Sequence, residues 1–534
     1  MNRHIVSLSG SVISGLMVLT MVNPTAMADT TSGPMLQDLT SLGTITTADS
    51  GQPDATFTKY EQNYPGPITS TTGWTGFCRQ GGRYITIQFP KWEDVEHIKI
   101  TMKQSPSAGV YYPKDVQFEA FSTMDDKWYL LGTNQTNIPQ TDAGNTTQVF
   151  QFDSQKGIQT NAVRIYFPVG VWVFANSLDI TGSTTGFGEI PNSSMFPAVS
   201  NNQSAIGALT PYASAYGIHN MLLVETGGHG NLGTWSASDF KPMIEYINPM
   251  GYEITPLFDT MLFVPYPNVP DTKTGWTNYL NDLFAPNRQL DALNQAIATA
   301  NQAVNRPGYK EKVVLNIPYF PYGNNDFGTV NGQEVNFNGS TDDLNAIIAR
   351  TTALNWYMNT LLGKWKAANY QNLQLVGLYW NEEQYQASAP GEKELLQAAE
   401  NSAHSNNLPL LWIPFYDAAG STKWQSLGFN AAWLQSNFIE GDSITDVNRI
   451  SSAANIAKEN GMGIEVELTG LDSQTQQLYQ TFLQNLDTDE FGGTNVSHAF
   501  YDGSKLLLNA QQSTEPAVHA LYDETASFIL TGTN

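Results

Sequence analysis

Short runs in which apolar and polar residues alternate fill residues 51–185: RYITIQF (83–89), HIKITM (97–102), VQFEAF (116–121), WYLLG (128–132), TQVFQF (147–152) and AVRIYF (162–167). Alternation with period two buries one face of a strand, and turn-rich stretches separate the runs. No helical pattern interrupts them, so this region predicts an all-β sandwich. Residues 29–50, rich in Thr, Ser, Gly and Asp and without periodicity, predict a flexible N-terminus. A Ser/Asn/Pro-rich link covers 186–210, and then the rhythm changes. Eight apolar runs follow: MLLVE (221–225), LFDTMLFV (257–264), KVVLNIP (312–318), LQLVGLYW (373–380), LPLLWIPF (408–415), AAWLQSNF (431–438), MGIEVEL (462–468) and VSHAFYD (496–502). Between them lie helix-periodic segments such as Thr341–Asn369 and Ile444–Asn460. Eight strand–helix repeats predict an α/β fold, a (β/α)₈ TIM-type barrel over 211–534. An open doubly wound sheet is the alternative, and the absence of a Gly-rich phosphate loop after the first strand counts against it.

The first residues change the setting. Arg3 and His4 precede an apolar stretch from Ile5 to Val22, and Ala26-Met27-Ala28 stands before Asp29. A charged start, an apolar run and an A-x-A site predict a signal peptide at 1–28, cleaved after Ala28. No later run has the roughly 18 apolar residues of a membrane span, so a secreted, extracellular protein is expected.

Composition narrows the partner. The formal net charge is −24 and only 14% of residues are charged. A polyanion is repelled by such a field, which excludes nucleic acid and favours a neutral polar ligand. The single cysteine, Cys78, has no partner for an internal disulfide and reads as a small buried apolar residue.

In a barrel of this kind the site lies at the C-terminal strand ends. The ends here carry Glu225 and His229, Asp259, Asn316 and Tyr319, then Trp380-Asn381-Glu382-Glu383, then Trp412 and Asp417, Gln435 and Asn437, Glu465 and Glu467, and His498 and Tyr501. This ring of carboxylates, amides and aromatics has few cations. Glu465 and Glu467, two residues apart, point to one face of their strand. Two acids inside a barrel are costly unless they serve a site or pair with a buried cation. Glu382 and Glu383 either line the mouth or cap the following helix. Glycoside hydrolysis requires two carboxyl groups flanking the scissile bond. No zinc-type His pair, calcium loop or G-x-S-x-G elbow is present, so no metal or cofactor is expected.

The Trp-Asn-Glu at 380–382 and the acids of GMGIEVEL resemble the retaining (β/α)₈ glycosidase superfamily. That resemblance implies Glu382 as acid/base and Glu467 as nucleophile, with Glu465 the rival, and Asn381 at the sugar 2-hydroxyl. Glu225, Asp259, Tyr319, Trp380, Trp412, Glu465 and Tyr501 join Asn381 as expected substrate contacts. RYITIQF, GVYYPKDVQFEAFSTMDDKW (109–128) and AVRIYF resemble discoidin-like carbohydrate-binding modules. Over roughly 55–505 the chain also resembles a bacterial family of uncharacterised exported proteins, a domain of unknown function, through LFDTMLF, WTNYLNDLF, VVLNIPY, LVGLYWNEE, LLWIPFYDAAG, LGFNAAW and GMGIEVEL. The reading is a monomeric, exported glycoside hydrolase acting on an oligo- or polysaccharide, with its chemistry outside the β-rich region. A non-catalytic glycan-binding protein and a polysaccharide esterase or lyase are the alternatives.

Overall fold

The computed structural model describes residues 36–530, with breaks at 51–54, 80, 140–141, 143, 184–187, 200–206, 213, 249, 252, 268, 304–305, 324–325, 339–343 and 440–445. The expected signal peptide at 1–28 lies outside the described residues.

The N-terminal region is antiparallel, in the order Gln37–Asp38, Trp172–Ser183, Gly82–Gln104, Thr146–Pro168, Val116–Ser122, Lys127–Asn134. Thr44–Asp49 adds to Gly82–Gln104, and Thr75–Cys78 adds to Trp172–Ser183. The sandwich expected from the pattern is thus hydrogen-bonded as one eight-stranded sheet, folded over its own core. Its two longest strands pair through register breaks at Gln88/Glu93 and Val95/His97. A one-residue slip moves side chains to the opposite face. Ile85, Ile87 and Phe89 at odd positions, and Ile98, Ile100 and Met102 at even ones, therefore reach the same apolar core.

Two expectations for this region are corrected. Residues 37–49 were expected in a flexible N-terminus, yet Thr44–Asp49 pairs residue by residue with Arg83–Gln88, because TITTAD offers an alternating edge to RYITIQ. The 51–185 region is not purely β either, since Ala55–Glu61 is helical. Within the described part of the link at 186–210, Leu130 N–H donates to Pro197 C=O at 3.0 Å, and Leu209 N–H to Met462 C=O at 3.0 Å.

The C-terminal region contains a closed barrel of eight parallel strands. They are Asn220–Thr226, Thr260–Pro265, Glu311–Ile317, Leu373–Trp380, Leu410–Trp412, Ala431–Gln435, Gly463–Glu467 and His498–Tyr501. Each expected run supplies one strand, in the expected order. Met221, Leu223, Leu262, Val264, Leu411, Trp433 and Ala499 fill the interior. Their neighbours one step away, such as Leu222, Phe263, Leu378 and Val466, belong to the outer apolar cluster shared with the helices. Each buried Leu, Val, Met or Phe among them contributes about 1.5–3 kcal/mol. Gly463 is required at the barrel floor, because a Cβ there would strike the Trp433 ring and the Ser497 carbonyl.

Helices stand between successive strands except between the fifth and sixth, where the only described helical segment is the 3₁₀ turn Ser421–Leu427. The N-terminal region docks at this point. Arg79, fully buried, donates to Ser421 Oγ at 2.7 Å, and Lys423 Nζ donates to Tyr112 C=O at 3.2 Å. Phe57 and Cys78 of the N-terminal region belong to the barrel's apolar cluster. Cys78 is buried, as its sequence context predicts, and burial pushes its thiol up to about 12. Among the described residues no helix is long and apolar enough to cross a membrane.

Candidate active site

A cleft of about 1580 Å³ opens at the C-terminal ends of the barrel strands. The fourth strand brings most of the chemistry. Alternation turns Trp380 outward into the apolar cluster and leaves Tyr379 and Asn381 facing the cleft. The chain then leaves the sheet, and Glu382 and Glu383 follow at the rim of the cleft. Glu382 Oε1 accepts from Gln386 Nε2 at 2.9 Å, and its backbone carbonyl accepts from Trp412 Nε1 at 2.7 Å. Burial lifts the Glu382 carboxyl above the usual glutamate range, while the Gln386 hydrogen bond and the Arg350 charge pull it back. Glu383 is exposed. The Tyr379 phenol is held well above its usual value by burial and by the charges of Glu383, Glu465 and Glu382, so it remains a neutral donor among three acids.

Strand seven separates its two acids. Glu465 lines the cleft. Glu467 is 1% exposed, accepts from Ser436 Oγ at 3.2 Å and Asn437 Nδ2 at 3.4 Å, and is not part of the cleft lining. Asn437 takes a left-handed φ of 48°, and its Oδ1 accepts from Tyr416 N–H at 2.7 Å. The end of strand six thereby folds over Glu467. Glu465 is itself only 3% exposed, and of the two acids it is the one that borders the cleft.

Strand one contributes Glu225. Burial raises its carboxyl, against hydrogen bonds from Ser504 and Tyr266 and the nearby His229. Tyr266 Oη donates to Ser504 Oγ at 2.6 Å, and Ser504 Oγ to Glu225 Oε2 at 3.4 Å. Tyr319, Asp417, Gln435 and Tyr501 also line the cleft, as expected. Tyr319 is braced from behind. Its hydroxyl donates to Glu392 at 2.9 Å, and the fully buried Arg350 donates to the same carboxylate at 3.0 Å.

Other expected contacts lie elsewhere. Asp259 precedes strand two, accepts from the N–H groups of His219 and Asn220, and pairs with Lys312 at 2.6 Å. It stands at the N-terminal end of the barrel, where it ties three strand starts together. Trp380 and Trp412 are core residues, and Trp412 stacks on Phe429 at 4.6 Å. Asn316 and His498 are buried and outside the cleft lining, and burial lowers the His498 imidazole to about 4.

The cleft also holds residues that strand-end reading did not find. Tyr379 was hidden inside an apolar run. Tyr266, Asp271 and Tyr416 come from loops, and Arg449 comes from the helix Asn448–Asn460. Phe57 and Tyr60 come from the N-terminal helix Ala55–Glu61. Arg449 is the one Lys or Arg among the described lining residues, and its guanidinium lies over the rings of Phe57 (4.8 Å) and Tyr416 (4.7 Å). The cleft thus offers acids, amides and phenols, suited to donating and accepting protons and to hydrogen-bonding a polyhydroxylated neutral ligand.

Fold and site define a parallel-barrel protein with an acidic cleft at the strand ends. The chain belongs to the family described as Domain of unknown function (DUF4855), which matches residues 220–527, more than half of the chain. Among curated proteins no sequence relative matches. Among solved structures, the chain is similar to the CBM22-1 and GH10 modules of the N-terminal endo-1,4-beta-D-xylanase 10B of Clostridium thermocellum, complexed with xylohexaose, at 11% identity over 92% of this chain and 95% of that one, with a TM-score of 0.34. It is also similar to Xylanase10C from Cellvibrio japonicus in complex with xylopentaose, at 12% identity over 92% and 98%, with a TM-score of 0.30. A third likeness, to CBM32-6 of CpGH89 produced by Clostridium perfringens, has 14% identity over 28% of this chain and all of that one, with a TM-score of 0.20.

Proposed function

We propose that the chain is an exported glycoside hydrolase that cleaves a glycan with two carboxyl groups, Glu382 and Glu465. The observation that carries this reading is that both open into one cleft around the Tyr379 phenol, and that Glu382 has raised proton affinity. A raised carboxyl can hold the proton that a leaving glycosidic oxygen must receive. In the retaining version, Glu382 protonates that oxygen as its bond to the anomeric carbon breaks. The Glu465 carboxylate attacks the same carbon. Water, losing a proton to Glu382, then displaces Glu465 and regenerates both groups. Glu467, enclosed by Ser436 and Asn437, serves as a hydrogen-bond acceptor that orients the strand end.

The test is release of reducing ends from a panel of neutral polysaccharides by the mature chain. Glu382→Gln and Glu465→Gln each lower turnover by about 10²–10⁴-fold on the polymer that is cleaved. Glu467→Gln loses less than Glu465→Gln. The reverse order of those two returns the nucleophile to Glu467, and full activity in all three variants defeats the two-carboxylate reading. Export is tested separately: N-terminal sequencing of protein recovered from the medium should begin at Asp29.

A further inference from the structure

Tyr60 stands on the barrel's cleft although it belongs to the N-terminal region. Its side chain is well exposed, with 44% relative accessibility, while Phe57, one turn earlier on the same helix, is 2% exposed. Phe57 lies 5.3 Å from the Tyr416 ring and under the Arg449 guanidinium at 4.8 Å. Tyr60 meets Phe57 edge-on at 5.9 Å. The exposed ring is therefore mounted on a neighbour wedged into the barrel, so its position is preset. A preset aromatic face loses little freedom on binding, and the apolar face of a sugar ring is a natural complement to it. The surrounding cleft is acidic and amide-rich, which favours a neutral polyol over an apolar or anionic occupant.

We propose that Tyr60 is a sugar-stacking subsite, supplied to the barrel's cleft by the N-terminal region, that binds glycan units beyond those at the carboxylates. The proposal rests on the glycan reading above and adds that the ligand is a chain long enough to reach from the barrel mouth to the helix Ala55–Glu61.

The probe is a ladder of linear oligosaccharides, two to eight units long, prepared from the polymer the parent degrades. Affinities are measured by calorimetry in the Glu382→Gln background, in which turnover is slowed by about 10²–10⁴-fold. Affinity in that background rises with length. Tyr60→Ala lowers the affinity for the longest members about five- to ten-fold and flattens the length dependence, while Tyr60→Phe, which keeps the ring, retains both. Melting temperatures of the two Tyr60 variants equal to that of the background establish that the fold is kept. Unchanged affinity at every length in Tyr60→Ala overturns the subsite and leaves the hydrolase reading standing. Equal loss in Tyr60→Phe and Tyr60→Ala overturns stacking as the mode of contact. A parent chain that neither cleaves nor binds any polymer of the panel overturns both proposals.

Discussion

Glu465 and Glu467 share a strand face but not an environment: one meets the cleft, the other is closed in by Ser436 and Asn437. At this scale, what a carboxyl can do follows from its surroundings. Burial raises Glu382, so the alkaline limb of the proposed activity should lie above the ordinary glutamate range, and Gln386→Ala, which removes a bond that stabilises the charged form, should move that limb further up. A pH profile of kcat/KM checks the shift, and an unmoved limb rules out Glu382 as the titrating acid. A second carboxyl affects stability. Glu311 is buried at the start of strand three, and burial lifts it from 4.5 to about 8. The folded chain then holds a proton that the unfolded chain releases. The stabilisation is complete below about pH 4.5 and is lost as pH rises through about 8. Glu311→Gln should flatten that slope and melt above the parent at pH 9, as read from melting temperatures across the range; a parallel slope in the variant would assign it to other groups.

At the scale of elements, Arg350 is the tie of the cleft's rim. From the helix Leu344–Ala368 it donates to the carbonyls of Phe320 (2.6 Å) and Pro390 (2.8 Å) and to Glu392. It thereby joins the loops after strands three and four, and it braces Tyr319 from below. The pair is fully desolvated, so removing one partner strands the other. Arg350→Met should cost about 3–5 kcal/mol in denaturant unfolding, and adding Glu392→Gln should recover a large part of it. A single variant within about 0.5 kcal/mol of the parent would show that the tie contributes little.

At the scale of the molecule, the two regions share buried contacts. The N-terminal region closes over the place where the barrel has a 3₁₀ turn in place of a helix, and Phe57 sits in the barrel's own apolar cluster. A single calorimetric transition is expected for the mature chain. Phe57→Ala should lower stability by about 3–5 kcal/mol and move that transition as a whole. Two separated transitions in the parent would show that the regions unfold independently. The barrel alone, residues 186–534, should keep Glu382 and Glu465 but lose Phe57 and Tyr60 from the lining of its cleft.

The sequence by itself determined the order and kind of most elements. Strand and helix periods are local, and turn residues mark their ends, so eight barrel strands and the β-rich region were legible, and with them Glu225, Tyr319, Asn381, Glu382, Glu465 and Tyr501 at the mouth. It also placed Glu465 and Glu467 on one face, because alternation is a property of the backbone. Tertiary structure alone decided which of the two borders the cleft, since Ser436 and Asn437, just past the end of strand six, close over Glu467. It turned Trp380 and Trp412 into core, because the phase at which each strand ends depends on the register between strands. It placed Asp259 at the opposite end of the barrel, because strand two begins only at Thr260. Above all it brought Phe57 and Tyr60 to a cleft built from residues more than 160 positions away, by packing between regions that no local period encodes.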